Sequence, residues 1–251
     1  MKRVLIAHRG EPDHWPENSL AGFRAALAAG AHYLETDVQL TADAVPILCH
    51  DATLLRVTGQ DLEVGRTDWA RIAALPAGEA GRFGSAFADT RIPRLADFVH
   101  LLAEWPQAQA FVELKRESLQ RFGAAVVIER VLACLQPVLA QCILISFDAA
   151  VLAEIRRHHD VPIGWVLSEW SSASAATAAA LAPDYLFCNR KRLPEAPAPL
   201  WTGPWQWVVY TVNDAAEIAP LLARGFRLVE TNQISRLLAA TDAADTGNRH
   251  V

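Results

Sequence analysis

The sequence predicts an α/β fold, a TIM (β/α)8 barrel, and three observations carry that prediction. Its 251 residues suit one such barrel and are long for a single sandwich. Short apolar segments alternate with helix-length ones, the rhythm that builds a mainly parallel sheet. The segments that read as parallel strands number eight, which closes a barrel.

In order along the chain, residues 4–7 are apolar and partly β-branched, a buried strand. An amphipathic helix over 19–29 follows, capped by Asn18 or Ser19 and stopped by Gly30. Residues 33–38 form the second strand. Segment 46–50 lies too close behind it for a crossover helix, so it returns antiparallel as a hairpin turning at 42–44, which brings His50 back alongside Asp37. Residues 52–93, with Gly59, Gly65, Gly78, Gly81 and Gly84, break the rhythm and read as an insertion packed over one barrel end. Strands follow at 110–114, 143–147, 163–167, 185–188, 207–212 and 227–231, with helices such as 120–135, 149–158 and 215–224 between them. One barrel domain over 1–240 results, with the polar, irregular residues 241–251 as a flexible tail.

Composition narrows the function. Apolar residues at 52% supply a large core, and a net charge of −5 argues against a general nucleic-acid surface. No cleavable apolar leader precedes the first strand, and no run approaches the roughly eighteen apolar residues of a membrane span. This predicts a cytoplasmic protein without stable membrane insertion. Cys49, Cys134, Cys142 and Cys188 show no paired spacing and read as small buried hydrophobes.

The chemistry gathers early. His8 and Arg9 stand where the first strand ends. Glu35 and Asp37 occupy a strand that should be apolar, and with a side-chain period of two they face the same way. Two buried like charges repel unless a cation sits between them, and a metal ion is the simplest solution. Singly, His8 reads as a hydrogen-bonded structural histidine and Glu35-x-Asp37 as a solvated edge. Together, near the C-terminal ends of barrel strands, they read as an active site.

The set His8-Arg9-Gly10, Pro16-Glu17-Asn18-Ser19, Glu35-x-Asp37-Val38, His50-Asp51, Glu113-Leu114-Lys115, Ser146-Phe147 and Tyr210-Thr211-Val212-Asn213 resembles the glycerophosphodiester phosphodiesterases, from residue 4 to about residue 238. The resemblance implies a TIM barrel with an insertion after the His-Asp motif. It also implies divalent-metal-dependent hydrolysis of a small-molecule glycerophosphodiester to sn-glycerol 3-phosphate and an alcohol. Carried over, it makes Glu35, Asp37 and Glu113 the ligands of one divalent cation. Oxygen ligands suit Mg²⁺ or Ca²⁺ better than zinc. His8 and His50 become the general acid/base pair, and Arg9 grips the phosphate. Lys115 balances the carboxylates and meets the anionic substrate. Phe147 and Tyr210 line the substrate pocket, or merely pack, and Glu17 and Asn18 either order the site or only form a turn and cap.

Two other readings compete: a phospholipase D-like hydrolase of lysophospholipids, with a longer apolar groove built by the insertion, and a non-catalytic barrel binding module. The second is disfavoured because all five metal and acid/base positions are filled. Self-association into a homo-oligomer, the choice of ion, the head group, a cyclic phosphate intermediate, and which histidine is acid or base stay open. Two positions depart from the family's usual pattern. Ala42-Asp43-Ala44 replaces a turn that commonly has Asp-Gly, and Thr231-Asn232 replaces the more familiar Thr-Asp, losing one charge.

Overall fold

Along the parallel strands, every second side chain points into a barrel and its neighbours point out to the helices. The computed structural model describes residues 2–196 and 198–247. Its strands are β1 (Leu5–His8), β2 (Tyr33–Leu40), β3 (Pro46–Leu48), β4 (Gln109–Leu114), β5 (Cys142–Ser146), β6 (Ile163–Val166), β7 (Tyr185–Asn189), β8 (Gln206–Tyr210) and β9 (Leu228–Thr231). All but β3 pair in parallel, and β1 closes the ring by pairing with both β2 and β9. This is the TIM barrel the alternation predicts.

The inward set of Ile6, Phe111, Ile143, Ile145, Val166, Phe187, Val208 and Leu228 fills the barrel. The outward set, among it Leu5, Ala7, Leu34, Val38, Val112, Leu144 and Val229, packs under the helices. Two residues beyond Ile6, Phe111 and Leu228 on their own strands stand His8, Glu113 and Glu230. The apolar interior therefore gives way to charge at the C-terminal mouth.

β3 pairs antiparallel with the last part of β2, in the register Val38 to Leu48 and Leu40 to Pro46. Its turn manages without glycine: Ala44 takes φ +58°, which costs a non-glycine residue about 1 kcal/mol or more. Thr41 offsets this, since its N–H donates to the Val45 carbonyl at 3.1 Å and its hydroxyl accepts from the Val45 N–H at 3.0 Å. Residues 52–93 hold short helices Leu55–Thr58, Trp69–Ile72 and Ala80–Phe83. They bury Leu54, Val64, Ile72, Ala77 and Ile92 against Ile47 and Cys49, a satellite core separate from the barrel's.

The helices correct the sequence expectation in two places. Gly123, at φ +81°, breaks the helix expected over 120–135 into Arg116–Phe122 and Ala124–Leu135. Together with the 3-10 turn after it, the second of these makes an 18-residue stretch, Ala124–Gln141, long and apolar enough to cross a membrane, but its Val127, Ile128, Val131, Leu132 and Leu135 are buried in the outer core. The last helix runs Ile234–Gly247, so the irregular tail expected from residue 241 is helical through 247. Its alanines favour continuation, and residues 248–251 lie outside the described ones.

Gly164 on β6 tests how full the barrel is. A Cβ there would lie 2.8 Å from Ile145 Cγ2 and 3.1 Å from Phe187 Cε2. Gly164→Val is expected to overpack the interior and cost about 1–3 kcal/mol. A lowered urea midpoint with an unchanged slope would show it.

Candidate active site

Strand register places the carboxylates. His8 lies opposite Glu35 across β1 and β2, and Asp37 opposite Glu113 across β2 and β4. Carboxylate oxygens of Glu35, Asp37 and Glu113 lie within 4.8 Å of one another, and His8, Glu35 and Glu230 form a second such group. All four carboxylates are buried. Two cationic side chains reach the first trio of carboxylates. Arg9 Nε is 3.0 Å and Lys115 Nζ 3.3 Å from the carboxylate of Asp37, and Lys115 Nζ is also 3.0 Å from Glu113.

Asp37 takes most of this compensation. Burial would raise it, but Arg9, Lys115, His50 and the Asn18 amide, which donates at 3.0 Å, hold it well below the carboxylate range. Glu35 is driven well above that range by burial and by its neighbours Asp37 and Glu230. Burial takes Glu113 to about 7 despite Lys115, and Glu230 to about 8. The trio is thus short of positive charge, and its all-oxygen donors fit a hard divalent cation. These acidic groups could hold a metal ion.

The two imidazoles stand on separate elements. His8 has Nδ1 2.6 Å from Oδ1 of Asn232, while Nε2 lies 3.5 Å from Glu230 and 3.9 Å from Glu35. Burial, then Arg9, lowers its pKa to about 4. His50 follows the hairpin, where the Cys49 N–H donates to the Asp37 carbonyl at 3.0 Å. Gln39 Nε2 donates to the carbonyls of Cys49, His50 and Asp51 at 3.1, 3.2 and 2.6 Å, fixing the segment. His50 Nδ1 is 2.7 Å from the Asp51 carboxylate.

Arg9 and Gly10 have φ of +50° and +87°, so the chain turns sharply off β1 and the guanidinium folds back onto Asp37. A Cβ on Gly10 would lie 2.9 Å from the Gly22 carbonyl carbon, so glycine is needed for both conformation and space. Arg9 Nη1 also donates to Glu17 at 3.3 Å. Arg56, from the insertion, donates to both oxygens of Glu17 at 2.7 Å and to Asp51 at 2.7 Å. One arginine therefore ties the carboxylate behind Arg9 to the one behind His50.

A cavity of about 70 Å³ is lined by His8, Arg9, Glu35, His50, Glu113, Phe147, Tyr210 and Glu230, with Ile145, Val166 and Phe187. The structure thus brings together the sequence-predicted residues. Asp37 and Lys115 stand behind the cavity wall, where Lys115 is held by Asp37 and Glu113. Of Glu17 and Asn18, Glu17 accepts from Arg9 and Arg56 and Asn18 donates to Asp37, while Ser19 is the helix cap, accepting from the Gly22 N–H. Trp170 stacks against Trp207 at 5.3 Å in the outer core.

Sequence reasoning missed Gln39, Arg56, Glu230 and the contact of Asn232 with His8. Gln39 extends the period-two row of Glu35 and Asp37, and Glu230 follows Leu228 by two, so both carried a signal. Arg56 carried none, because no spacing links it to Glu17 or Asp51.

Residues 8–236 match the sequence pattern of the glycerophosphoryl diester phosphodiesterase family. A glycerophosphodiester phosphodiesterase of Caldanaerobacter subterraneus is 39% identical over 104 residues, which are 41% of this chain and 42% of that relative. Glycerophosphodiester phosphodiesterase 1 of Homo sapiens is 36% identical over 94 residues, 38% of this chain and 28% of its own length. The aligned stretches thus span less than half of these curated relatives. A putative glycerophosphoryl diester phosphodiesterase from Silicibacter pomeroyi superposes with a TM-score of 0.79 at 25% identity, covering 95% of this chain and 94% of that one. An Oleispira antarctica phosphodiesterase, determined in complex with the product sn-glycerol-3-phosphate, has the same fold, with a TM-score of 0.83 at 24% identity over 95% and 96% of the two chains. The pattern match over nearly the whole length places this chain in the glycerophosphoryl diester phosphodiesterase family.

Proposed function

We propose that this protein hydrolyses glycerophosphodiesters to sn-glycerol 3-phosphate and an alcohol, with Mg²⁺ or Ca²⁺ held by Glu35, Asp37 and Glu113. The observation that carries this reading is one small cavity faced by two imidazoles, a guanidinium and carboxylates of that trio. When bound, the cation would draw charge from the non-bridging phosphate oxygens. Arg9 adds to this with the donors its carboxylate partners leave free.

The partners of the imidazoles divide the labour. Asp51, a carboxylate, holds Nδ1 of His50 at 2.7 Å and so fixes the ring's orientation, and His50 is assigned the proton given to the leaving alkoxide. His8 has a neutral amide at the equivalent nitrogen and is uncharged near neutral pH, so it takes the proton of the attacking hydroxyl. Lys115 keeps Asp37 and Glu113 aligned, and Phe147 and Tyr210 shape the alcohol side. The four free cysteines support a cytoplasmic location.

His8→Ala and His50→Ala are each expected to lower kcat on glycerophosphocholine by about 10²–10⁴. EDTA should abolish activity, and Mg²⁺ or Ca²⁺ restore it. Turnover that survives both chelation and His8→Ala would overturn the reading.

Stability should follow the raised carboxylates. With Glu113 at about 7 and Glu230 at about 8, the metal-free fold keeps protons that the unfolded chain gives up, so its stability is lost as pH rises through these values. His8, lowered to about 4, acts oppositely, but its effect is complete above about pH 7. Metal-free Tm should therefore fall between about pH 7 and pH 8.5, and added cation should raise it more at the higher pH. Scanning calorimetry with and without cation checks both.

Arg56→Met removes the bond between Glu17 and Asp51 while keeping most of the side-chain bulk. Turnover is expected to drop about 10- to 100-fold, the usual cost of losing such a supporting contact. Steady-state kinetics, with circular dichroism to confirm folding, measure it.

A further inference from the structure

β9 meets His8 from two sides. Thr231, buried between Glu230 and Asn232, donates its hydroxyl to Asn213 Oδ1 at 3.0 Å, and the Asn232 N–H donates to the same oxygen at 3.0 Å. The Gln233 N–H in turn donates to the Thr231 hydroxyl at 3.1 Å. The backbone of Asn232 is therefore fixed, and its side-chain oxygen stands 2.6 Å from His8 Nδ1. An amide oxygen only accepts, so Nδ1 must carry the hydrogen and Nε2 the lone pair. Nε2 then faces Glu230 at 3.5 Å and Glu35 at 3.9 Å across the cavity mouth. Both distances are too long for hydrogen bonds, which leaves Nε2 free for a substrate oxygen.

We propose that Asn232 is the positioning residue of His8, fixing the Nδ1–H tautomer so that Nε2 is the nitrogen that takes the proton, and that Glu230 is the carboxylate facing the cation so formed. This rests on the reading of His8 as the base. In the step, the O–H bond of the attacking hydroxyl breaks, its proton passes to Nε2, and its oxygen pair forms the new bond to phosphorus. The P–O bond to the leaving alcohol breaks as that oxygen takes a proton from His50.

The choice of an amide has a physical reason. Four buried carboxylates already share the mouth with Arg9 and Lys115. A carboxylate at position 232 would orient the ring equally well but crowd a fifth acidic group into the mouth. Asn232 orients without charge, and Glu230, two residues earlier in the chain, faces the reacting nitrogen at 3.5 Å. Among the described contacts, the carboxylate of Glu230 has His8 as its ion-pair partner.

The test uses the whole, cation-loaded protein. Long-range proton–nitrogen NMR of the His8 ring reads which nitrogen carries hydrogen, and steady-state kinetics on glycerophosphocholine read the consequence. Wild type should show Nδ1–H. Asn232→Leu should shift the ring toward Nε2–H and lower kcat about 10- to 100-fold, with KM changed less than about threefold. Asn232→Asp, which keeps the acceptor, should retain the wild-type tautomer and recover most of that loss. Glu230→Gln should keep the tautomer and lower kcat by about tenfold.

A wild-type ring protonated at Nε2 overturns the proposal without any variant. So does wild-type kcat in Asn232→Leu or Glu230→Gln. If His8→Ala retains full activity, the underlying reading of His8 falls. If His8→Ala is inactive while Asn232→Leu turns over normally, only the role of β9 falls.

Discussion

Asp37 is the charge around which the mouth of this barrel is arranged. A buried carboxylate without partners would cost several kcal/mol, and Asp37 gathers Arg9, Lys115 and the Asn18 amide from three separate segments. Each donor dictates something about its own segment. Arg9 must leave β1 through a left-handed turn, Asn18 must sit at φ +53°, and Lys115 must be held at the start of the helix that follows β4. Glu35 and Glu113 are left undercompensated, the condition that invites a divalent cation.

Much of this was legible in the chain. Period-two placement gave Glu35 and Asp37 a common face, and the short spacing between 38 and 46 required an antiparallel return that brings His50 to the mouth. Glu113 was legible only through family resemblance, because a single carboxylate in an apolar strand looks like a strand end. Glu230 carried the period-two signal from Leu228, but in a strand of only four residues that signal is a single step. Arg56 lies in the insertion, where no periodicity relates a side chain to its partners. Gly123 divided a helix that hydrophobic spacing alone would have run straight through, since spacing does not report backbone handedness. The hairpin turn shows the reverse, because Thr41 stabilises a left-handed alanine where glycine is the expected residue.

Arg56 also changes what the insertion is. Its satellite core would let it pack as an independent cover, but the bonds to Glu17 and Asp51 join it to the orientation of Arg9 and His50. Packing of the insertion and placement of Arg9 and His50 are therefore coupled. The two imidazoles, by contrast, are set up separately, one by its sequence neighbour and the other by the last strand more than two hundred residues away.

β2 carries a consequence for how the chain can change over time. Its eight residues pair with β1, β4 and β3, and its inward positions supply two of the three clustered carboxylates. Adding or deleting one residue within it would turn Glu35 and Asp37 toward the helices and present Leu34 and Val38 to the cavity. A change in length is therefore expected to be tolerated in connections such as 52–93, while β2 tolerates exchange of residues but not a change in their number.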